Sequence, residues 1–385
     1  MNVSAALDWL FSTQFFGIKL GLDNTEKLLA AAGADRINAT VVHVAGTNGK
    51  GSTCAMIEAL ARAQGYVTGL FTSPHLVDFS ERIRVNGNMI TPDALAEEIS
   101  FLKQLAEGWE QLPTFFELAL AVALRHFRKN NVNFIILETG LGGRLDATNA
   151  VPKDIAVLAP IGLDHQQYLG DTLEEIAPDV MAVMERTARN RRSPLTIARA
   201  DRNTPRPSLP GAHQRENAAL ALETMRRLHA LPSPAAAAAA LARVQWPGRF
   251  ERLETPPLVL DGAHNEHAAR VLAATWKEEF PGRKAALVFA ASADKHIREM
   301  IPVLREIAGE WHLVPCTSPR IMPAQEMAAL LAGQETGPVF IHSTLPDGLQ
   351  AALASPFPAL AAGSLFLLGD LKALLRHAEK RSTAQ

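Results

Sequence analysis

Short apolar runs, each followed by a stretch of helical length, recur along most of this chain, and that alternation fixes its fold class. TVVHVAG (40–46), YVTGLFT (66–72), NFIILETG (133–140) and DIAVLAP (154–160) are largely apolar rather than alternating, as strands buried on both faces are. Between them, residues 50–64, 92–107 and 113–129 carry apolar residues at helical spacing. The rhythm predicts βαβ units in a doubly wound parallel sheet. A second series follows: PPLVLDGAHN (256–265), KAALVFAAS (284–292), EWHLVPCT (310–317), PVFIHST (338–344) and SLFLLGD (364–370). These read as strands of another α/β unit.

Periodicity lapses and prolines cluster in RVQWPGRFERLETPP (243–257), which predicts a hinge and a division into residues 1–252 and 253–385. The length of 385 residues suits two cores. RNRRSPLTIARADRNTPRPSLPG (189–211) reads as a surface loop, and SPAAAAAALARV (233–244) as a short solvated helix with Pro234 in its first turn. A net charge of −2 lacks the basic excess of a nucleic-acid binder. Cys54 and Cys316 have no metal-ligand spacing, which fits a reducing, cytoplasmic setting. The N-terminal stretch has no basic start and is broken by Asp8, a poor signal peptide. No window approaches the ~20 apolar residues of a bilayer span.

The first strand runs into VAGTNGKGST (44–53), a glycine-rich turn opening a helix. Backbone N–H groups at a helix start point at phosphate, and this context makes the turn a nucleotide cradle. Gly46, Gly49 and Gly51 allow a tight turn; Lys50 neutralises phosphate; Ser52 or Thr53 bonds a phosphate or a metal. The spacing is shorter than the common Gly-x-x-x-x-Gly-Lys-[Ser/Thr]. LETGLGGRLDATN (137–149) invites a dinucleotide reading, but Gly-x-Gly-x-x-Gly would need glycine where Leu145 stands, so hydride transfer loses its support.

The cradle GTNGKGS resembles that of the Mur ligase superfamily, and its folylpolyglutamate synthase/dihydrofolate synthase branch in particular. FGIKLGLDN (16–24), TSPHLVDFSERIRVNG (72–87), TFFE (114–117), LETGLGGRLDATN, IGLDHQQYLG (161–170), HQRENAALAL (213–222), PGRFE (247–251) and LDGAHNEHA (260–268) resemble that family in its order, along nearly the whole chain. The resemblance implies a P-loop ATPase-type doubly wound domain followed by a smaller Rossmann-like α/β domain. It implies an ADP-forming ligase in which ATP phosphorylates a carboxylate and the amine of L-glutamate attacks the acyl phosphate. The acceptor would be dihydropteroate or a folate, and the enzyme a monomer with no nucleic-acid or membrane partner.

By the same resemblance Ser73, Glu138 and His165 are the magnesium ligands, and Lys50, Glu138 and His165 the catalytic set. Gly46, Thr47, Asn48, Gly49, Lys50, Gly51, Ser52, Thr53, Asn217, Arg249 and Asp261 hold ATP. Thr114, Phe115, Phe116, Glu117, Leu145, Asp146 and Ala147 hold the pterin-bearing substrate. Read alone, Phe115 and Phe116 divide evenly between ring stacking and helix core, and a strand-end Asp261 is most often a cap. After TLEEIA the family continues Glu-Lys-Ala-Gly-Ile, with a lysine that is commonly carbamylated and supports a second magnesium. This chain has Val180 there and no lysine between Lys153 and Lys277. Three outcomes stay open: the second metal is held without that group, Asp179 substitutes, or catalysis is lost and a nucleotide-binding pseudoenzyme remains. A related ligase for another acid and amino acid is the remaining alternative.

Overall fold

The computed structural model describes residues 1–16, 21–161, 180–334 and 337–376. Two six-stranded mixed sheets follow one another along the chain. The first contains β1 (Thr40–Ala45), β2 (Thr68–Phe71), β3 (Ile83–Val85), β4 (Asn88–Met89), β5 (Phe134–Glu138) and β6 (Ile155–Leu158), in the order β4-β3-β2-β5-β1-β6. β2, β5, β1 and β6 are parallel; the β3–β4 hairpin adds an antiparallel edge. The hairpin lies in a stretch where no strand was read.

Strand alternation distributes side chains to two cores. Val41, Ile135 and Leu137 pack with the helices Val3–Ser12, Pro92–Ala106 and Phe115–Lys129, whereas Val42, Val44, Phe134 and Ile136 pack with Lys50–Ala63 and Ala212–Arg227. The helix Lys50–Ala63 is buried at every position from Gly51 to Ala61, which explains its small and aliphatic composition. It is roofed by Ala212–Arg227 and by Pro234–Leu241. That last helix is the alanine run. It is not simply solvated: Ala237 and Leu241 are buried in the core that Lys50–Ala63 shares.

The second sheet contains β7 (Glu251–Glu254), β8 (Pro257–Leu260), β9 (Ala285–Phe289), β10 (Ala308–Leu313), β11 (Val339–Ile341) and β12 (Ala359–Ala362), in the order β11-β10-β9-β12-β8-β7. All pair in parallel except β7, which is antiparallel to β8. The division expected at 252/253 falls inside β7. The structure overturns the strand reading of 364–370: Leu365–Arg376 is a helix, and the strand is Ala359–Ala362. A short apolar run has no period that separates strand from buried helix. The true strand is made of alanine and leucine, usual helix formers, and is fully buried between β8 and β9. Part of the Arg/Pro-rich stretch is also helical, since Val180–Arg191 reaches into it; 192–211 has no helix or strand. No helix among the described residues is long and apolar enough to cross a membrane.

Candidate active site

The cradle hangs from the end of β1. Thr47 and Asn48 donate their backbone N–H groups to Pro160 O at 3.0 and 3.1 Å, fixing the loop to the segment after β6. Gly49 caps the helix Lys50–Ala63 at φ 86°, and a Cβ there would lie 2.7 Å from Asn217 Oδ1. A Cβ on Gly51 would lie 2.7 Å from Trp246 Nε1. These glycines are therefore required as much by the packing of Asn217 and Trp246 as by an incoming phosphate. Lys50 Nζ donates to Gly46 O (2.8 Å) and Thr47 O (3.2 Å), so its charge is folded over the loop. Ser52 lines the cleft, and its Oγ accepts from Gln214 Nε2 at 3.4 Å. Thr53 is fully buried beneath it and does not line the cleft.

Glu138 ends β5, and its Oε2 accepts from the Ser73 backbone N–H at 3.1 Å. Burial pushes its carboxyl up from the usual range, against the opposing pull of Lys50, Arg249 and Arg82. Oε1 accepts no hydrogen bond from any described residue. His165 lies outside the described residues. Among the described residues no group of three His, Cys, Asp or Glu side chains stands ready for a metal. A buried carboxylate beside a serine and a phosphate cradle nevertheless fits Mg²⁺, which takes one or two carboxylates and completes its shell with phosphate oxygens and water.

The second domain closes the other side. Arg249 Nη1 bonds Gly248 O (3.2 Å) and lies where a Cβ on Gly262 would meet it at 2.4 Å. Asp261 accepts from Phe250 N and Ala263 N, both at 2.9 Å, and burial raises its carboxyl despite Arg249. Its carboxylate orders the turn around Arg249. Across the gap, Asn48 Nδ2 is 2.9 Å from His267 Nδ1 and 3.4 Å from Asn265 Oδ1. Asn265 also caps the helix Glu266–Glu279.

These elements enclose a cleft of ≈350 Å³. Of the residues expected there, Thr47, Asn48, Gly49, Lys50, Gly51, Ser52, Ser73, Glu138, Asn217, Arg249 and Asp261 line it together. Gly46 sits behind the loop, where a Cβ would strike Ala159 O at 2.6 Å. The residues expected at a pterin do not line the cleft; of their loop only Gly140 does. Thr114 and Glu117 form a capping box at the start of Phe115–Lys129, and Glu117 Oε1 also accepts from Thr25 Oγ1 at 2.8 Å. Phe115 is core, stacked on Phe11 with centroids 5.5 Å apart. Phe116 is half-buried over Gly140, and Leu145 is exposed. Asp146 accepts from the Gly140, Leu141 and Thr148 N–H groups and so shapes the loop; Ala147 is buried. His75, His213, Lys295 and Arg320 also line the cleft. The first two stand inside resembling motifs, whereas Lys295 and Arg320 follow strands of the second sheet with no local signal.

Two family models match: Mur ligase middle domain over residues 44–215, and Mur ligase, glutamate ligase domain over 248–359. A dihydrofolate synthase/folylpolyglutamate synthase of Bacillus subtilis is 33% identical over 429 aligned positions, covering 96% of this chain and 98% of the relative. This chain belongs to the folylpolyglutamate synthase/dihydrofolate synthase family. Its fold agrees. Escherichia coli FolC, solved in complex with DHPP and ADP, is 27% identical with a TM-score of 0.87, covering 98% of this chain and 99% of that one. The Yersinia pestis bifunctional folylpolyglutamate synthase/dihydrofolate synthase, complexed with AMPPNP and Mn ion, is 29% identical with a TM-score of 0.84, covering 98% of each. The two-domain α/β architecture is thus that of the family.

Proposed function

We propose that this chain is an ATP-dependent, ADP-forming ligase that joins L-glutamate to dihydropteroate, to a folate, or to both. The observation that carries the reading is the single cleft in which Lys50 and Ser52 of the cradle face Glu138 and Ser73 on one side and Arg249 on the other. The N–H groups at the start of Lys50–Ala63 and the Lys50 ammonium hold the nucleotide phosphates, with Asn217, Arg249 and Asp261 closing on the nucleotide from the opposite side. Ser73 and Glu138, with His165, hold Mg²⁺, which when bound offsets phosphate charge during transfer. The acceptor carboxylate takes the γ-phosphoryl group, and the glutamate amine displaces phosphate from the acyl phosphate, leaving an amide, ADP and phosphate. Lys295 and Arg320 put positive charge on the second domain's wall, where an incoming glutamate carboxylate needs it.

For the pterin end, Phe116 and Leu145 are the contacts with free surface. Thr114, Phe115, Glu117, Asp146 and Ala147 support them from the helix cap, the core and the loop. A division into two units belongs to this reading, supported by two sheets that share no strand; because β7 belongs wholly to the second sheet, we place the boundary before Glu251 rather than at 252/253. So do a monomeric state and a cytoplasmic setting, the latter in keeping with two cysteines that form no disulfide.

Phosphate release from ATP and Mg²⁺ should require both glutamate and a pterin acid; release indifferent to both would sink the proposal. A second reading, nucleotide binding without ligation, rests on Val180, which opens the helix Val180–Arg191. An active ligase lacking the carbamylated lysine should keep its rate in CO₂-depleted buffer. ATP binding with no ligation to either acceptor would favour the second reading.

A further inference from the structure

Lys372 carries its charge into an apolar layer. It is 6% exposed, on the helix Leu365–Arg376 among the buried Leu367, Leu368, Leu371 and Ala373. An ammonium held there costs free energy unless it is paired and hydrogen-bonded. Its Nζ donates to Glu251 Oε1, 121 residues earlier in the chain. Neither residue lines the cleft.

Glu251 passes this tie on to the hinge. Its second oxygen, Oε2, accepts from Gly248 N at 2.8 Å. Gly248 O accepts in turn from Gly262 N (2.8 Å) and from Arg249 Nη1 (3.2 Å). Gly248 sits at φ 71°, and a Cβ on it would lie 2.9 Å from Leu368 Cδ2 and 3.6 Å from Leu76 Cδ1. The turn is thus pressed between the helix that bears Lys372 and the segment that bears Ser73. A pair that only fastened this helix to β7 would need no bond to Gly248. Glu251 instead divides its two oxygens between the buried ammonium and the turn from which Arg249 enters the cleft wall.

We propose that Lys372 and Glu251 are positioning residues for the ligation reaction: the pair fixes Gly248, and through it the Arg249 side chain, where nucleotide phosphate binds. This rests on the ligase reading, in which Arg249 closes on the nucleotide. The charge of Lys372 never meets the substrate; it keeps the Glu251 carboxylate ionised and aimed, and the carboxylate holds the turn.

Binding of Mg²⁺–AMPPNP to the full chain, followed by titration calorimetry, tests this. Glu251→Met with Lys372→Met removes both charges together and leaves neither buried alone, so the Tm should stay close to that of wild type. The affinity of this paired variant should fall by ~10-fold. That of Arg249→Met should fall by ~10- to 100-fold, the loss of one hydrogen bond to a charged group. Adding the paired substitutions to Arg249→Met should weaken binding by no more than ~2-fold further, because they act through that side chain. A folded paired variant that binds as wild type overturns the proposal. So does a paired loss that persists in full without Arg249. Should the paired variant not fold, Lys372→Met, which leaves Glu251 able to turn toward water, carries the same comparison, and Lys372→Arg should bind as wild type. An Arg249→Met protein of wild-type affinity would sink the placement of Arg249 at the nucleotide, and the proposal with it. Absence of glutamate ligation in the wild type would sink the ligase reading alone, because binding is read without turnover.

Discussion

Glu138 and Asp261 line one cleft at strand ends, Glu138 buried and Asp261 half-buried, and they are used in opposite ways. Asp261 spends both oxygens on backbone N–H groups, Phe250 N and Ala263 N. Glu138 accepts from Ser73 N on Oε2 and from no described residue on Oε1. Burial raises the carboxyl of each, so ionising either one costs more than it would in water. Saturated by backbone, such a group shapes a turn; left half-satisfied, it is available to a cation or a substrate. Asp146 is a second case of the first kind.

The contrast predicts that Glu138→Gln will remove activity and Asp261→Ala will remove stability. For Glu138→Gln, glutamate-dependent phosphate release should fall by ~10²–10³-fold or more. Its folded-state carboxyl is raised, so the favourable contribution of the neutral form is complete below the unfolded value and lost as pH rises through the folded one. The amide, always neutral, should therefore melt no lower than wild type at neutral pH. A substantially lower Tm would erase the distinction between the two carboxylates.

Asp261→Ala strands two part-buried N–H donors and should cost about 2 kcal/mol by denaturant unfolding. Its residual activity should exceed that of Glu138→Gln. The reverse ranking would make Asp261 the chemical group and the turn incidental.

The smallest effect concerns what lies beneath the Asp146 loop. His43 Nε2 is 2.7 Å from Thr148 Oγ1, and Thr148 donates in turn to Asp146. Burial, with Lys153 nearby, lowers His43 from 6.5 to about 4. The unfolded chain binds its proton first, so stability falls with falling pH between those values. The loss should reach about 1 kcal/mol between pH 7 and pH 5.5. His43→Gln should flatten that slope; an unchanged slope would place the acid sensitivity elsewhere.

The carboxylate contrast also marks how far the sequence could be read. Cradle, parallel strands and most cleft residues were legible because they combine local period with turn chemistry: VVHV running into GTNGKGS has few other structural solutions. The two roles of the carboxylates were not legible, since Glu138 and Asp261 both read as acids after a β run, and only the folded N–H groups separate them. Phe115 and Phe116 were equal candidates for a ring, and burial against Phe11 is decided by a helix about a hundred residues upstream. ALAA as a strand and LFLLGD as a helix defeat propensity because tertiary burial overrides it. Lys295 and Arg320 reach the cleft only through the arrangement of the second sheet.

The central claim is that this cleft activates a carboxylate with the γ-phosphoryl group before an amine attacks it. Labelling the acceptor carboxylate of dihydropteroate with ¹⁸O and examining the inorganic phosphate by mass spectrometry tests it directly. Acyl transfer from an acyl phosphate must leave a single acceptor oxygen on the released phosphate, so the label should appear there in step with amide formation. Unlabelled phosphate, with its fourth oxygen taken from water, or phosphate released with no amide formed, would contradict the account.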